Sequence, residues 1–324
     1  MSIPTTSPFA IAAPLRLDAV RQPGLIPGRW IALGFALSVL CVAALLYDDA
    51  MVIDPWAPST LLFGLAFATL AAIRFLTRNP ATNAHRIGRD LAESVGLFMG
   101  VGLLGAVATY PLSADTHGSV DAVLQHIDQA LHFDWLALYQ LVASHRSLQI
   151  LGTAAYQSIF VTPALILGHY AVSGNRAAAR RFLVTFWLAA VISLVLFRYI
   201  PAFGPLATLW HGPVPYLPES GLYEADLLPA LRNHMLREVD LGALRGLVSA
   251  PSFHTISAVL YMAAGWQIAR LRWTVVVLNG AMLLSTPIEG THYLADMIAG
   301  AAVAVTALVA VGVLRRTMAA RARA

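Results

Sequence analysis

Long apolar stretches separated by short polar ones set the rhythm of this chain. Runs of about 17–25 apolar residues can cross a bilayer. Candidates fall near residues 30–47, 57–76, 91–112, 148–170, 180–200, 252–269, 273–287 and 292–314. Eight such runs predict an all-α, polytopic membrane helix bundle. Segment 119–145 breaks the rhythm, because Asp121, Asp128, Asp134 and several histidines interrupt apolar residues at helical spacing. It predicts one amphipathic helix lying on the membrane surface. No span fits residues 201–250, where prolines at 201, 205, 213, 215, 218 and 229 mark a segment too long for a simple connector. It is expected to cover a site as a lid or to take part in recognition.

Composition agrees with that pattern. Hydrophobic residues make up 58% of the 324 and charged residues 12%, with a mean hydropathy of +0.68. Soluble domains carry roughly 25% charged residues, so this chain cannot coat itself with polar surface. All 21 basic residues are arginine. A lysine-free chain rich in Ala and Arg points to a GC-rich bacterial genome, and hence to a bacterial inner membrane. The arginines are scattered at helix ends and form no patch, which argues against nucleic acid as a partner. Cys41 is the single cysteine, so no internal disulfide is possible. Residues 1–28 hold no apolar core of the kind a signal peptide needs, and the first apolar run is expected to act as a retained anchor.

Charge asymmetry orients the spans. With the N-terminus inside, 16 arginines fall in inner segments, leaving Arg146, Arg198, Arg232, Arg237 and Arg245 outside. Arginine bias of this kind marks the cytoplasmic side, so both termini are expected there. The expected organisation is a cytoplasmic segment 1–29, two accessory spans in 30–89, a six-span core in 90–314 and an Arg-rich cytoplasmic tail, 315–324.

One stretch carries more chemistry than a membrane span needs: STPIEGTHYLADMIAG, Ser285 to Gly300. His292 and Asp296 stand four residues apart, so on a helix they share a face. They lie at the outer end of the last run, and SAPSFHT, with His254, begins the sixth run on the same side. At 1.5 Å per residue the run from His292 to Leu314 extends roughly 33 Å. That places His292 about level with lipid headgroups. His292 can attack phosphorus if Asp296 holds its other ring nitrogen, and His254 can protonate the leaving oxygen. Phosphate would be held by Ser252 and the free amides of a helix whose first turn holds Pro251. Ser285 and an arginine complete the candidate cradle, Arg198 ahead of Arg245, because Arg198 ends an apolar run where an unpaired charge costs most.

Plainer readings exist. A serine before a helix is commonly just a cap, Arg198 could snorkel to headgroups, and Glu289 is expected to be a solvated rim charge. Two histidines and an aspartate also suit a metal-dependent membrane hydrolase, although no His-Glu-x-x-His is present. A non-catalytic transporter with a His/Asp proton relay is the third class.

Pro251, Ser252 and His254, followed by Ser285, His292 and Asp296, resemble the second and third signature motifs of the type-2 phosphatidic acid phosphatase superfamily, Pro-Ser-x-His and Ser-Arg-x5-His-x3-Asp. The resemblance implies a six-helix core with His292 as nucleophile, Asp296 orienting it and His254 as acid. It implies no metal and no other cofactor. Thr286 replaces the motif arginine, and the Lys-x6-Arg-Pro first motif is missing. With Pro-Ser-Phe-His, these departures are similar to the inositol phosphorylceramide synthase-like branch, whose members move a phosphorylated headgroup between lipids. The partners implied are a lipid phosphate and a water or alcohol acceptor, with the site on the outer, periplasmic face.

Overall fold

The computed structural model describes residues 25–321. The first 24 residues of the expected cytoplasmic segment, and residues 322–324 of the tail, lie outside the described residues. Thirteen helices and no β-strand are present among the described residues, so the fold is the expected all-α bundle. Two long helices come first, α1 (Gly28–Asp48) and α2 (Pro58–Leu76), followed by the 32-residue α3 (Asn83–Ala114). Pro58 sits in the first turn of α2, where its missing N–H costs nothing. Thr82 caps α3 by accepting from the His85 amide at 3.1 Å.

The surface segment folds differently from the single helix expected. It is split into α4 (Asp121–Ala130) and α5 (Trp135–Ala143). His132 between them takes a positive φ of 57°, and Asp134 caps α5 through the Ala137 amide at 3.0 Å. Trp135 and Tyr139 are fully buried, as is Asp128. The pair therefore packs on protein as well as lying across the end of the bundle.

Next come α6 (Arg146–Tyr156) and α7 (Ser158–Ser173), nearly continuous across Gln157, and α8 (Arg176–Tyr199). Gly174 ends α7 in the left-handed region, and Asn175 caps α8. Segment 201–250 holds two short helices, α9 (Pro205–Leu209) and α10 (Tyr223–Arg232). The chain closes with α11 (Phe253–Trp266), α12 (Arg272–Glu289) and α13 (Leu294–Arg321).

Among the described residues, six stretches are long and apolar enough to cross a membrane: α1, α2, α3, the α6–α7 pair, α8 and α13. The other two of the eight runs, α11 and α12, fall short. α11 has only 14 residues, about 21 Å of helix, and α12 carries Arg272, Asn279 and Glu289 within its 18. Because these two form a hairpin, including or omitting both leaves an even number of crossings. The start of α11 and the end of α12 stay on the same side either way.

The core lies between α7, α8, α11 and α13, where Ile166, Phe186, Ile256, Tyr261, Ala304 and Ala307 are buried. Helices α1 and α2 bury almost nothing and turn their apolar side chains outward, as lipid-facing helices do. They are fastened to the rest by charge at one end of the bundle. Glu93 on α3 meets Arg180 (2.5 Å) and Arg176 (2.7 Å) of α8 and Arg74 (3.2 Å) of α2. Arg180 also donates to the Ile26 carbonyl ahead of α1, at 2.7 Å. Removing one partner of a buried ion pair leaves the other charge stranded, a loss of about 3–5 kcal/mol. Glu93→Ala should therefore lower the melting temperature of the purified protein in detergent by several degrees, at about 2 °C or more per kcal/mol lost, while turnover per folded molecule is kept. A melting temperature within a degree of the parent would show that Glu93 does not hold these helices.

Candidate active site

The site is built where the last two helices turn into one another. Helix α12 ends at Glu289, and four residues, 290–293, reverse the chain into α13. Thr291 takes a positive φ of 48°, and the Thr291 and His292 amides donate back to the Ile288 and Pro287 carbonyls, both at 3.1 Å. This tight reversal throws the His292 ring toward the bundle. Its Nδ1 lies 2.9 Å from Asp296 Oδ1, and the pair is almost completely buried. The other Asp296 oxygen accepts from the Tyr293 amide at 2.8 Å. With Nδ1 turned to the carboxylate, Nε2 is the nitrogen left for a substrate, the orienting arrangement of a Ser-His-Asp triad.

A helix start leaves amides without partners, and here a carboxylate from another element fills the gap. Asp128 on α4 accepts from the Leu294 amide (2.9 Å) and the Ala295 amide (2.8 Å). Asp121, one helix end away, accepts from Phe203 and Gly204 amides and from the Tyr293 hydroxyl. Helix α4 thus clamps both the His292 turn and the entrance to segment 201–250.

His254 arrives on α11. Ser252 caps that helix: its Oγ accepts from the Thr255 amide (3.4 Å) and hydroxyl (3.2 Å). Pro251 precedes the cap rather than occupying the first turn, as the sequence had suggested. The His254 ring stacks on Tyr156 at 3.8 Å, and its Nδ1 lies 3.0 Å from the Tyr156 hydroxyl, which also meets Ser220 Oγ. Two backbone features lock α11 to α13. The Ser252 amide donates to the Asp296 carbonyl at 3.2 Å, and a Cβ on Gly300 would stand 2.5 Å from the Ser252 carbonyl oxygen.

Both histidines line one cavity of about 320 Å³. Its polar end also holds Glu219, Tyr223, Glu224 and Arg245, and its apolar wall is Val101, Gly102, Gly105 and Ala106 of α3 with Ala190 and Leu194 of α8. Arg245 donates to the Tyr223 hydroxyl at 2.6 Å, with its guanidinium 4.2 Å over the Tyr223 ring. Glu224 is only 5% exposed, and burial pushes its carboxyl up to about 7.

The structure brings His254, His292, Asp296 and Arg245 together and leaves the other candidates apart. Arg198 pairs with Asp115 and lines a separate apolar groove against α1. Ser252 touches the site only as a cap, and Ser285 donates to the Met282 carbonyl inside α12. Glu289 is not at a solvated rim: it is 1% exposed and accepts two contacts from the Tyr216 hydroxyl, at 2.8 and 2.9 Å. Its carbonyl also accepts from the Ser220 amide, which pins segment 216–220 across the site. Among the described residues no three His, Cys, Asp or Glu side chains are grouped to hold a metal ion.

Sequence reasoning missed Tyr156, Glu224 and Asp128. Asp128, like Asp121 and Asp134, was visible as an unusual charge in an apolar segment, but its capping role is a contact across 166 and 167 positions.

A Cβ added to Gly290 would lie 2.5 Å from His292 Cδ2 and 2.9 Å from the Thr286 carbonyl oxygen. Neither atom is the end of a flexible side chain, so Gly290→Ala must displace the imidazole. Misplacement of a reacting group by about 1 Å costs roughly a hundredfold in rate. Turnover of Gly290→Ala should fall by that factor with KM little changed, and equal turnover would show that the ring position is not critical.

No curated protein and no solved structure matches the chain. A family model described as the PAP2 superfamily matches residues 122–310, more than half of the length and the elements from α4 into α13. On that match, and with two histidines meeting at one cavity and Asp296 buried behind one of them, the chain belongs to the PAP2 superfamily, integral membrane proteins of phosphatase type.

Proposed function

We propose that the protein cleaves lipid phosphate esters through a phosphohistidine on His292. The observation that carries this reading is the shared cavity: His254 reaches it from the first turn of α11 and His292 from the turn between α12 and α13, with Asp296 2.9 Å behind the His292 ring. In the first half-reaction His292 Nε2 attacks phosphorus and the P–O bond to the leaving group breaks. His254 gives that oxygen its proton, and Asp296 stabilises the imidazolium. In the second, an acceptor hydroxyl attacks the phosphorus, its proton passes to His254 and the P–N bond breaks. Arg245 and the positive end of the α11 helix dipole face the charge that builds on phosphorus.

A lipid substrate follows from the shape of the cavity. Its polar end meets the catalytic groups, whereas the α3 wall is open beside Gly102 and Gly105, where an added Cβ would meet nothing within 4 Å. An apolar arm of that kind suits an acyl chain, and the phosphorylated headgroup would lie at the polar end. The site lies at the outer face in this reading. Arg181 and Arg315 share a pocket at the opposite end of the bundle, near Glu93 and its arginines. The arginine-rich end is then cytoplasmic, together with both termini.

Acceptor choice divides two outcomes of the same chemistry. Water makes the protein a lipid phosphate phosphatase. An alcohol makes it a headgroup transferase of the inositol phosphorylceramide synthase type, which the missing basic motif residues favour. Incubating the protein with radiolabelled lipid phosphate separates them: inorganic phosphate marks hydrolysis and a new labelled lipid marks transfer. His292→Ala should abolish both products, and chelator should leave both unchanged. Turnover retained in His292→Ala, or lost on chelation, would overturn the reading.

A further inference from the structure

Glu224 stands in the catalytic cavity without an obvious task. It opens α10, which belongs to no catalytic motif. Its side chain is buried and lines the same cavity as His254, His292 and Arg245, and its Oε2 has no hydrogen-bond partner. A buried polar atom without a partner is costly and uncommon, and here the open position faces the space where the proposed chemistry puts a phosphate.

The charges around that space decide which form of Glu224 can serve. His292 acts on it from the turn before α13, Asp296 from the first turn of α13, and Asp121 from α4. Tyr156 and His254 line the cavity from α6 and α11, Tyr223 from α10 itself, Glu219 from the segment before it, and Arg245 is the arginine in the lining. On the neighbouring α3, Tyr110 is held by the Arg245 amide. Asp296 already faces His292, so one guanidinium remains to offset Glu219, Glu224 and an incoming phosphate. Two ionised carboxylates beside a phosphate anion in a partly buried cavity repel it. A neutral carboxylic acid does the opposite, because its O–H donates a hydrogen bond.

We propose that Glu224 binds the substrate phosphate as a neutral acid, donating a hydrogen bond from Oε2. This rests on the phosphohistidine reading and adds a phosphate-binding residue to it. When phosphate enters, one proton from solvent remains on, or is taken up by, Glu224. No bond to phosphorus is made or broken by it. Burial already holds its carboxyl near neutrality, at about 7. The acid form is therefore available below that pH, and a neighbouring anion extends it upward.

Infrared difference spectroscopy of the full-length protein in lipid nanodiscs tests this, with inorganic phosphate added at pH 8. A protonated-carboxyl band should grow on phosphate binding in the parent protein and be missing in Glu224→Gln. In a second measurement, kcat/KM on a short-chain lipid phosphate is followed from pH 6 to pH 9. Because the amide also donates a hydrogen bond, the alkaline fall should be at least threefold shallower in Glu224→Gln than in the parent, whereas Glu224→Ala should lose about tenfold at pH 6 and progressively less toward pH 9, where the parent has lost its donating proton as well. No new carboxyl band, no phosphate binding at all, or a Gln variant as impaired as the Ala variant would each overturn the proposal. The last result would mean that an ionised carboxylate is needed. The underlying reading is judged separately, by whether His292→Ala abolishes turnover; its success with a failed infrared test would sink only the role of Glu224.

Discussion

Two helix starts pressed against each other govern this molecule. The beginnings of α11 and α13 meet where Gly300 lets the Ser252 carbonyl approach, and the Asp296 carbonyl accepts the Ser252 amide. Asp296 therefore does three things: its backbone holds α11, one carboxylate oxygen holds the Tyr293 amide and the other faces His292. Because these contacts share one residue, the positions of His254 and His292 are not independent. A shift of either helix start would separate the two rings, and the cavity between them would lose its chemistry.

Charge is placed to support that junction from a distance. At one end of the bundle, Glu93 and Asp90 gather arginines from α2, α3 and α8 and tie the outer helices to the core. At the other end, carboxylates cap backbone amides instead: Asp128 at α13 and Asp121 at the start of segment 201–250. Buried carboxylates are expensive unless their lone pairs are satisfied, and each of these two accepts at least two amides. Segment 201–250 is correspondingly fixed. It is held by Asp121, by Glu289 through Tyr216 and Ser220, and by Arg232 on Thr116 and Gly118, which describes a fastened cover over the site.

How much of this could be seen in the chain alone depended on range. Apolar period and length were enough for the all-α bundle, because a helix in lipid satisfies its own backbone. His292 and Asp296 were visible because four residues make one helical turn, and His254 because it repeats a short motif. What failed was whatever needed a partner far away in sequence. Arg198 looked costly at the end of an apolar run, but Asp115, 83 positions earlier, answers its charge. Glu289 looked like a rim residue, and Tyr216 is what allows it to be buried. The helix break near His132 and the stack of Tyr156 on His254 are tertiary facts with no local sign.

The central claim is that His292 becomes covalently phosphorylated while a second histidine serves the leaving group. It is tested most directly by quenching the protein with alkali during turnover of a lipid phosphate and mapping phosphate by mass spectrometry. The account predicts a phosphoramidate on His292 that accumulates in the steady state and is absent from His292→Ala. Phosphate found on another residue, or none on His292 while lipid phosphate is being consumed, would contradict it.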